Sequence, residues 1–146
     1  FFFPLDVINN WNNAYGRRGF FQYQFVIPND AGSTPIKKIL EQIRISGQVP
    51  GLGVLKNFGP VESKGLMSFP REGVTLALDF SNKGRKTLDL FHKLDDIILA
   101  NGGAIYPAKD ARMSPEVFSS GYRNIDIFKK YIDPKFSSSF WRRVNK

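Results

Sequence analysis

The sequence predicts an α+β fold. Three observations carry that prediction: short β-branched and aromatic runs bounded by Pro, Gly and Asn, two longer segments with helical apolar spacing, and the order in which they alternate. With 146 residues, 42% apolar and 23% charged, the composition is that of a folded, soluble domain with its own core.

Residues 1–19, rich in Asn, Gly and Arg, read as mostly irregular. Phe20–Pro28 (FFQYQFVIP) reads as a strand stopped by Pro28 and Asn29-Asp30. A helix follows. Ser33 or Thr34 suits its N-cap, Pro35 its first position, Gly47 the residue after its end, and Ile36, Ile39, Leu40 and Ile43 its buried face. Leu52–Phe58 is a second strand, and Val74–Phe80 a third. A second helix spans about 85–100, with Leu88, Phe91, Leu94 and Ile98 on one face and Asn101-Gly102-Gly103 at its end. Ala104–Lys109 reads as the fourth strand. A helical region begins at Ser114-Pro115-Glu116, breaks near Gly121 and resumes from Asn124 to Ile132.

The order β-α-β-β-α-β is the ferredoxin-like split βαβ pattern, here with a C-terminal helical segment added. It predicts an antiparallel sheet with helices on one face. Strand alternation puts Phe21, Tyr23 and Phe25 on one side of the first strand and Gln22 and Gln24 on the other. In the third strand it separates Val74, Leu76, Leu78 and Phe80 from Thr75, Ala77 and Asp79. The apolar sets suit the helix-covered side, so the polar sets share the open side. Two amides two residues apart suit a polyhydroxyl ligand, and Lys56 supplies a point charge for a phosphate. Tyr106 and Lys109 are three apart, which is wrong for one face of a regular strand, so a bend or bulge is needed to bring both to one site.

The net charge of +8, from 21 Lys and Arg against 13 Asp and Glu, favours anionic partners or is simply a solvated basic surface. The absence of Cys excludes thiolate catalysis, disulfides and cysteine metal sites in this segment, and no metal site is expected. No run approaches the length of a membrane helix. The start at Phe1 reads as a start inside a longer protein.

Weaker signals are set beside these. Gly51-Leu52-Gly53 lacks the third glycine and following helix of a dinucleotide fingerprint. His92, on a helix beside Lys93, reads as a surface or helix-packing residue and not as a base. Asp95 and Asp96 are adjacent on a helix and face different directions, so they are no acid–base pair. Trp141-Arg142-Arg143 suits either contact with an acidic membrane surface or a frayed basic tail. Arg18–Phe25 looks like the aromatic box of an RNA-recognition motif, but that box belongs on the third strand, and VTLALDF carries no stacking aromatic on its polar face. Nucleic acid is not the expected partner, although a ferredoxin-like RNA-binding module is the alternative of another class.

Ordered blocks along the chain carry a resemblance: Phe3-Pro4-Leu5-Asp6, Asn10-Trp11-Asn12, Tyr15-Gly16, Gly19–Phe25, Val54–Gly59, Leu66 with Ser68-Phe69-Pro70, Gly73–Phe80, Gly102–Tyr106 with Ala108-Lys109-Asp110, and Asp133-Pro134. They resemble the C-terminal region of the decaprenylphosphoryl-ribose oxidases, FAD-linked oxidases of the vanillyl-alcohol-oxidase type. The resemblance implies that residues 1–146 form a single substrate-binding or cap domain, with FAD held mainly by a separate N-terminal domain outside this chain. It implies oxidation of the 2′-hydroxyl of a polyprenylphosphoryl ribose, a precursor of bacterial cell-wall arabinan; another sugar or an alditol is the alternative substrate. A partner keto-reductase and peripheral association with the bacterial cytoplasmic membrane, on either side, are implied as well. Site by site, it implies Lys109 as the catalytic residue, Gln22, Gln24, Lys56, Thr75, Ala77 and Tyr106 around the substrate, and Tyr106 and Lys109 beside the flavin. Where the actinobacterial enzymes carry Trp, Asn and Cys, this chain has Val74, Thr75 and Ala77. That puts the substrate's identity in doubt and removes the thiol that covalent nitroaromatic inhibitors modify.

Overall fold

The structure, a computed structural model, describes residues 9, 10, 13, 16–110 and 112–145. Most of the irregular stretch expected over 1–19, with the blocks Phe3–Asp6, Trp11-Asn12 and Tyr15, lies outside the described residues.

Among the described residues, four strands and five α-helices follow in the order β1 (Phe20–Ile27), α1 (Thr34–Ser46), β2 (Leu52–Phe58), β3 (Gly73–Ser81), α2 (Arg85–Ala100), β4 (Ala104–Ile105), α3 (Pro115–Gly121), α4 (Ile125–Lys129) and α5 (Ser139–Val144). The sheet order is β2-β3-β1-β4, every neighbouring pair antiparallel. This is the expected ferredoxin-like arrangement.

Alternation explains the core. Tyr23, Phe25 and Ile27 of β1 and Leu76, Leu78 and Phe80 of β3 are buried in one cluster with Ile39 and Ile43 of α1 and Leu90, Phe91, Leu94 and Ile98 of α2. Both helices therefore pack on one sheet face. The α1 stripe runs through Pro35, Ile39 and Ile43 at intervals of four, which leaves Leu40 51% exposed, contrary to its expected place in the core. In α2 the stripe is Thr87, Leu90, Phe91, Leu94, Asp95 and Ile98, so Leu90 replaces Leu88 in the buried set.

The ends follow their capping residues. Gly47 closes α1 at φ 65°, the left-handed region where glycine has no Cβ penalty. Ser114 and Ser138 accept the backbone N–H of Val117 and Trp141 at 3.3 and 3.0 Å, capping α3 and α5. The C-terminal basic stretch is thus a capped helix whose Val144 is buried, not a frayed tail. Among the described residues, no helix is long and apolar enough to cross a membrane.

β4 is much shorter than expected. It stops at Ile105 because Pro107 has no N–H to extend the ladder and favours the first turn of a helix. The chain enters a 3-10 turn over Pro107–Lys109 instead.

Candidate functional site

Residues directly opposite in antiparallel strands share a face. On the face away from α1 and α2 the register forms three rows: Gln22 with Asp79 and Leu52, Gln24 with Ala77 and Val54, and Val26 with Thr75 and Lys56. Five expected site residues, Gln22, Gln24, Lys56, Thr75 and Ala77, therefore lie on one sheet face. β3 contributes Gly73, Thr75, Ala77, Asp79 and Ser81 to this side, so no aromatic ring from β3 faces it.

Their exposures differ. Gln22 and Lys56 are exposed, Gln24 and Ala77 half-buried, and Thr75 only 1% exposed. The Gln24 side-chain NH2 donates to Thr75 Oγ1 at 3.1 Å. Thr75 therefore acts through Gln24: it fixes the amide's rotation rather than reaching outward.

One end of this face is closed by the chain itself. Phe69, from the connection between β2 and β3, packs on Val26 and Ala104 with Phe58 and Tyr106 beside it. Its ring stacks on Tyr106 at 4.6 Å between centroids and meets Phe58 edge-on at 6.1 Å. A wholly open face is thus corrected to one covered at its Val26 end.

Tyr106 and Lys109 reach the site through the 3-10 turn. Tyr106 N–H still donates to Gln24 O at 2.8 Å, and Lys109 N–H donates to Tyr106 O at 3.2 Å. Side chains three apart eclipse in 3-10 geometry, so the turn supplies the bend that their spacing required. Gln22, Gln24, Tyr106, Lys109, Asp110 and Arg112 line one crevice of about 10 Å³. That is about the room one water needs, so any larger ligand would have to lie across the crevice's mouth.

The sequence reading missed the charged groups behind this crevice. Asp95 is 3% exposed and accepts three bonds, from the Tyr23 hydroxyl at 2.6 Å and from the two terminal nitrogens of Arg112 at 2.7 and 2.8 Å. The signal was present: an acid on the apolar stripe of α2 has to be paired to be buried. His92 is exposed, the surface alternative of the two expected for it. No group of His, Asp and Glu among the described residues is arranged to hold a metal ion.

An apolar groove of about 570 Å³ lies apart from the polar rows, lined by Met67, Pro107, Phe118, Phe128, Phe140 and Trp141 among others. Pro107, between Tyr106 and Lys109, is its link to the turn.

Fold and face together define the class: an α+β domain of ferredoxin-like topology that presents rows of amide, hydroxyl and lysine side chains from one sheet face. The particular relative is also clear. The chain is similar almost end to end to decaprenylphosphoryl-beta-D-ribose oxidase of Mycolicibacterium smegmatis, 38% identical over 149 aligned positions that cover 99% of this chain and 32% of that one. It is also 31% identical over 114 positions to an uncharacterized protein in the mprA 5' region of Streptomyces coelicolor, covering 75% of this chain and 31% of that one. It thus spans about a third of the length of these curated relatives. No family model matches the chain.

Proposed function

We propose that residues 1–146 are the substrate-side, C-terminal domain of an FAD-dependent oxidoreductase that oxidises the 2′-hydroxyl of a polyprenylphosphoryl ribose or a closely related sugar. The observation that carries this reading is the 38% identity to an oxidase of such a substrate over 99% of the chain.

On this reading the domain would supply one wall of a flavin site and not a whole one. The crevice beside Tyr106 and Lys109 is far too small for an isoalloxazine ring, so the ring would lie against the outer sheet face, between this domain and another. When bound there, FAD supplies the hydride acceptor. Tyr106 and Lys109 are the side chains that this reading sets beside it.

The chain's own residues do the binding and orienting. Gln22 and Gln24 offer donors and acceptors to sugar hydroxyls, with Gln24 fixed by Thr75. Lys56, exposed on β2, supplies a charge for the phosphate. Ala77, opposite Gln24 in the register, presents only a methyl group to that face. Lys109 either orients the reacting hydroxyl or stabilises negative charge developing on its oxygen. The lipid-linked substrate implies peripheral association with the bacterial cytoplasmic membrane, and the keto product implies a partner keto-reductase.

The test is the visible spectrum of the full-length protein. Oxidised flavin that bleaches on adding polyprenylphosphoryl ribose supports the reading; a full-length protein without flavin overturns it. Bleaching by an alditol or another sugar alone would keep the chemistry and change the substrate. Lys109→Ala is expected to retain flavin and bleach at least about a hundredfold more slowly, and unchanged kinetics would reject its catalytic role.

A further inference from the structure

The turn that carries Tyr106 and Lys109 has lost its strand. Ladder pairing to β1 ends with Tyr106 N–H on Gln24 O. Beyond that bond, two charged arms hold the chain. In the first, Arg112 sets both terminal nitrogens on Asp95 of α2, with its guanidinium 5.4 Å from the Phe91 ring centroid. In the second, Asp110 accepts the backbone N–H of Arg112 and Met113 at 3.0 and 2.7 Å through Oδ1, and Oδ2 is ion-paired with Arg143 of α5.

The first arm reaches further than the turn. The same Asp95 carboxylate accepts the Tyr23 hydroxyl, and Tyr23 lies between Gln22 and Gln24 in β1. A single buried carboxylate therefore ties the strand that bears the two amides to the segment that bears Tyr106 and Lys109. We infer that Asp95 and Arg112, with Asp110 and Arg143 as a second brace, are positioning residues that hold Lys109 in register with Gln22 and Gln24. This inference rests on the proposed function for its catalytic meaning, and on the geometry alone for its mechanical meaning. It asks nothing of these four residues in direct contact with substrate. Displacement of a reacting group by as little as 1 Å can cost about a hundredfold in rate, so a brace of this kind acts on turnover.

The experiment uses the full-length flavoprotein and two readouts. Arg112→Lys breaks the two-pronged fit to Asp95 while keeping the charge. Hydrogen exchange over residues 106–113 is expected to speed up about tenfold, with α1 unchanged. Flavin bleaching is expected to slow about tenfold at saturating substrate, with KM shifted less than about twofold. Added to Lys109→Ala, Arg112→Lys should slow bleaching no further, because a residue that acts through Lys109 has nothing left to position. An additive loss in the double variant, or unchanged exchange over 106–113, would overturn the inference. Should Arg112→Lys fail to fold, Arg143→Lys tests the second brace at a side chain that is 34% exposed; there too, unchanged exchange counts against the inference. If the unmutated flavin does not bleach, the functional reading fails by itself, and the exchange result still decides whether the brace exists.

Discussion

The Tyr23 hydroxyl donates to Asp95 Oδ1 at 2.6 Å across 72 residues of chain, joining β1 to α2 inside the core. Burial first, and then the Asp95 charge, push the phenol well above its ordinary value of 10.0. Folded Tyr23 therefore keeps its proton at pH values where the unfolded chain releases it. The stability tied to that difference is complete below about pH 10 and is lost as pH rises toward the folded value. Tyr23→Phe is expected to flatten the alkaline limb of the stability curve. It should also lower stability at neutral pH by about 1–3 kcal/mol, because a charged acceptor loses one of its donors. Urea unfolding from pH 7 to 11 measures both, and an unchanged alkaline limb would refute the assignment.

Gly103 stands where α2 passes into β4. A Cβ there would meet Val26 O at 2.6 Å and Ile98 Cγ2 at 2.7 Å. Gly103→Ala should therefore destabilise the domain by about 1–3 kcal/mol, as overpacked cores do. Calorimetry should show a fall of roughly 3–10 °C in Tm.

Thr75→Val keeps the shape of a buried side chain and removes the oxygen that accepts from Gln24. Stability should change by less than about 1 kcal/mol, because the half-buried amide turns to another partner or to water. KM for the sugar substrate should rise several-fold while Tm barely moves. A variant with unaltered KM would remove Gln24 orientation from the account of binding.

Ala77 faces the same side as Gln24, its partner in the register. Full-length protein turning over a nitroaromatic inhibitor is expected to carry no covalent adduct on this segment, which contains no Cys. Ala77→Cys should create one, mapped to position 77 by peptide mass spectrometry. An adduct within residues 1–146 of the unmodified protein would contradict the prediction.

Much of the fold was legible because period and punctuation agreed. Alternation in FFQYQFVI and VTLALDF fixed which side chains meet α1 and α2, and Pro35 and Gly47 bracketed α1 to within a residue. The end of β4 was misread because Ala104–Lys109 looks like a strand until Pro107 is given its full weight as a missing donor. Leu40 was misplaced because a stripe one residue wide tolerates two phases, and tertiary packing chose the one through Ile39 and Ile43. The open-face rows followed from alternation plus register. The Asp95–Arg112 pair did not, because residues seventeen apart on different elements meet only once the chain folds.

β2 is one of the sheet's two outer strands, and its residues Leu52–Asn57 are exposed, including Leu52 at 54% and Leu55 at 63%. An outer strand with bare backbone groups and apolar side chains invites pairing with a second molecule. Lys56 is the one charge within it, so it also serves as a guard against that pairing. Removing Lys56 to probe phosphate binding would at the same time unlock aggregation. Lost activity in such a variant has meaning only beside a light-scattering trace, and Lys56→Glu, which reverses the attraction for phosphate but keeps the guard, is the better probe.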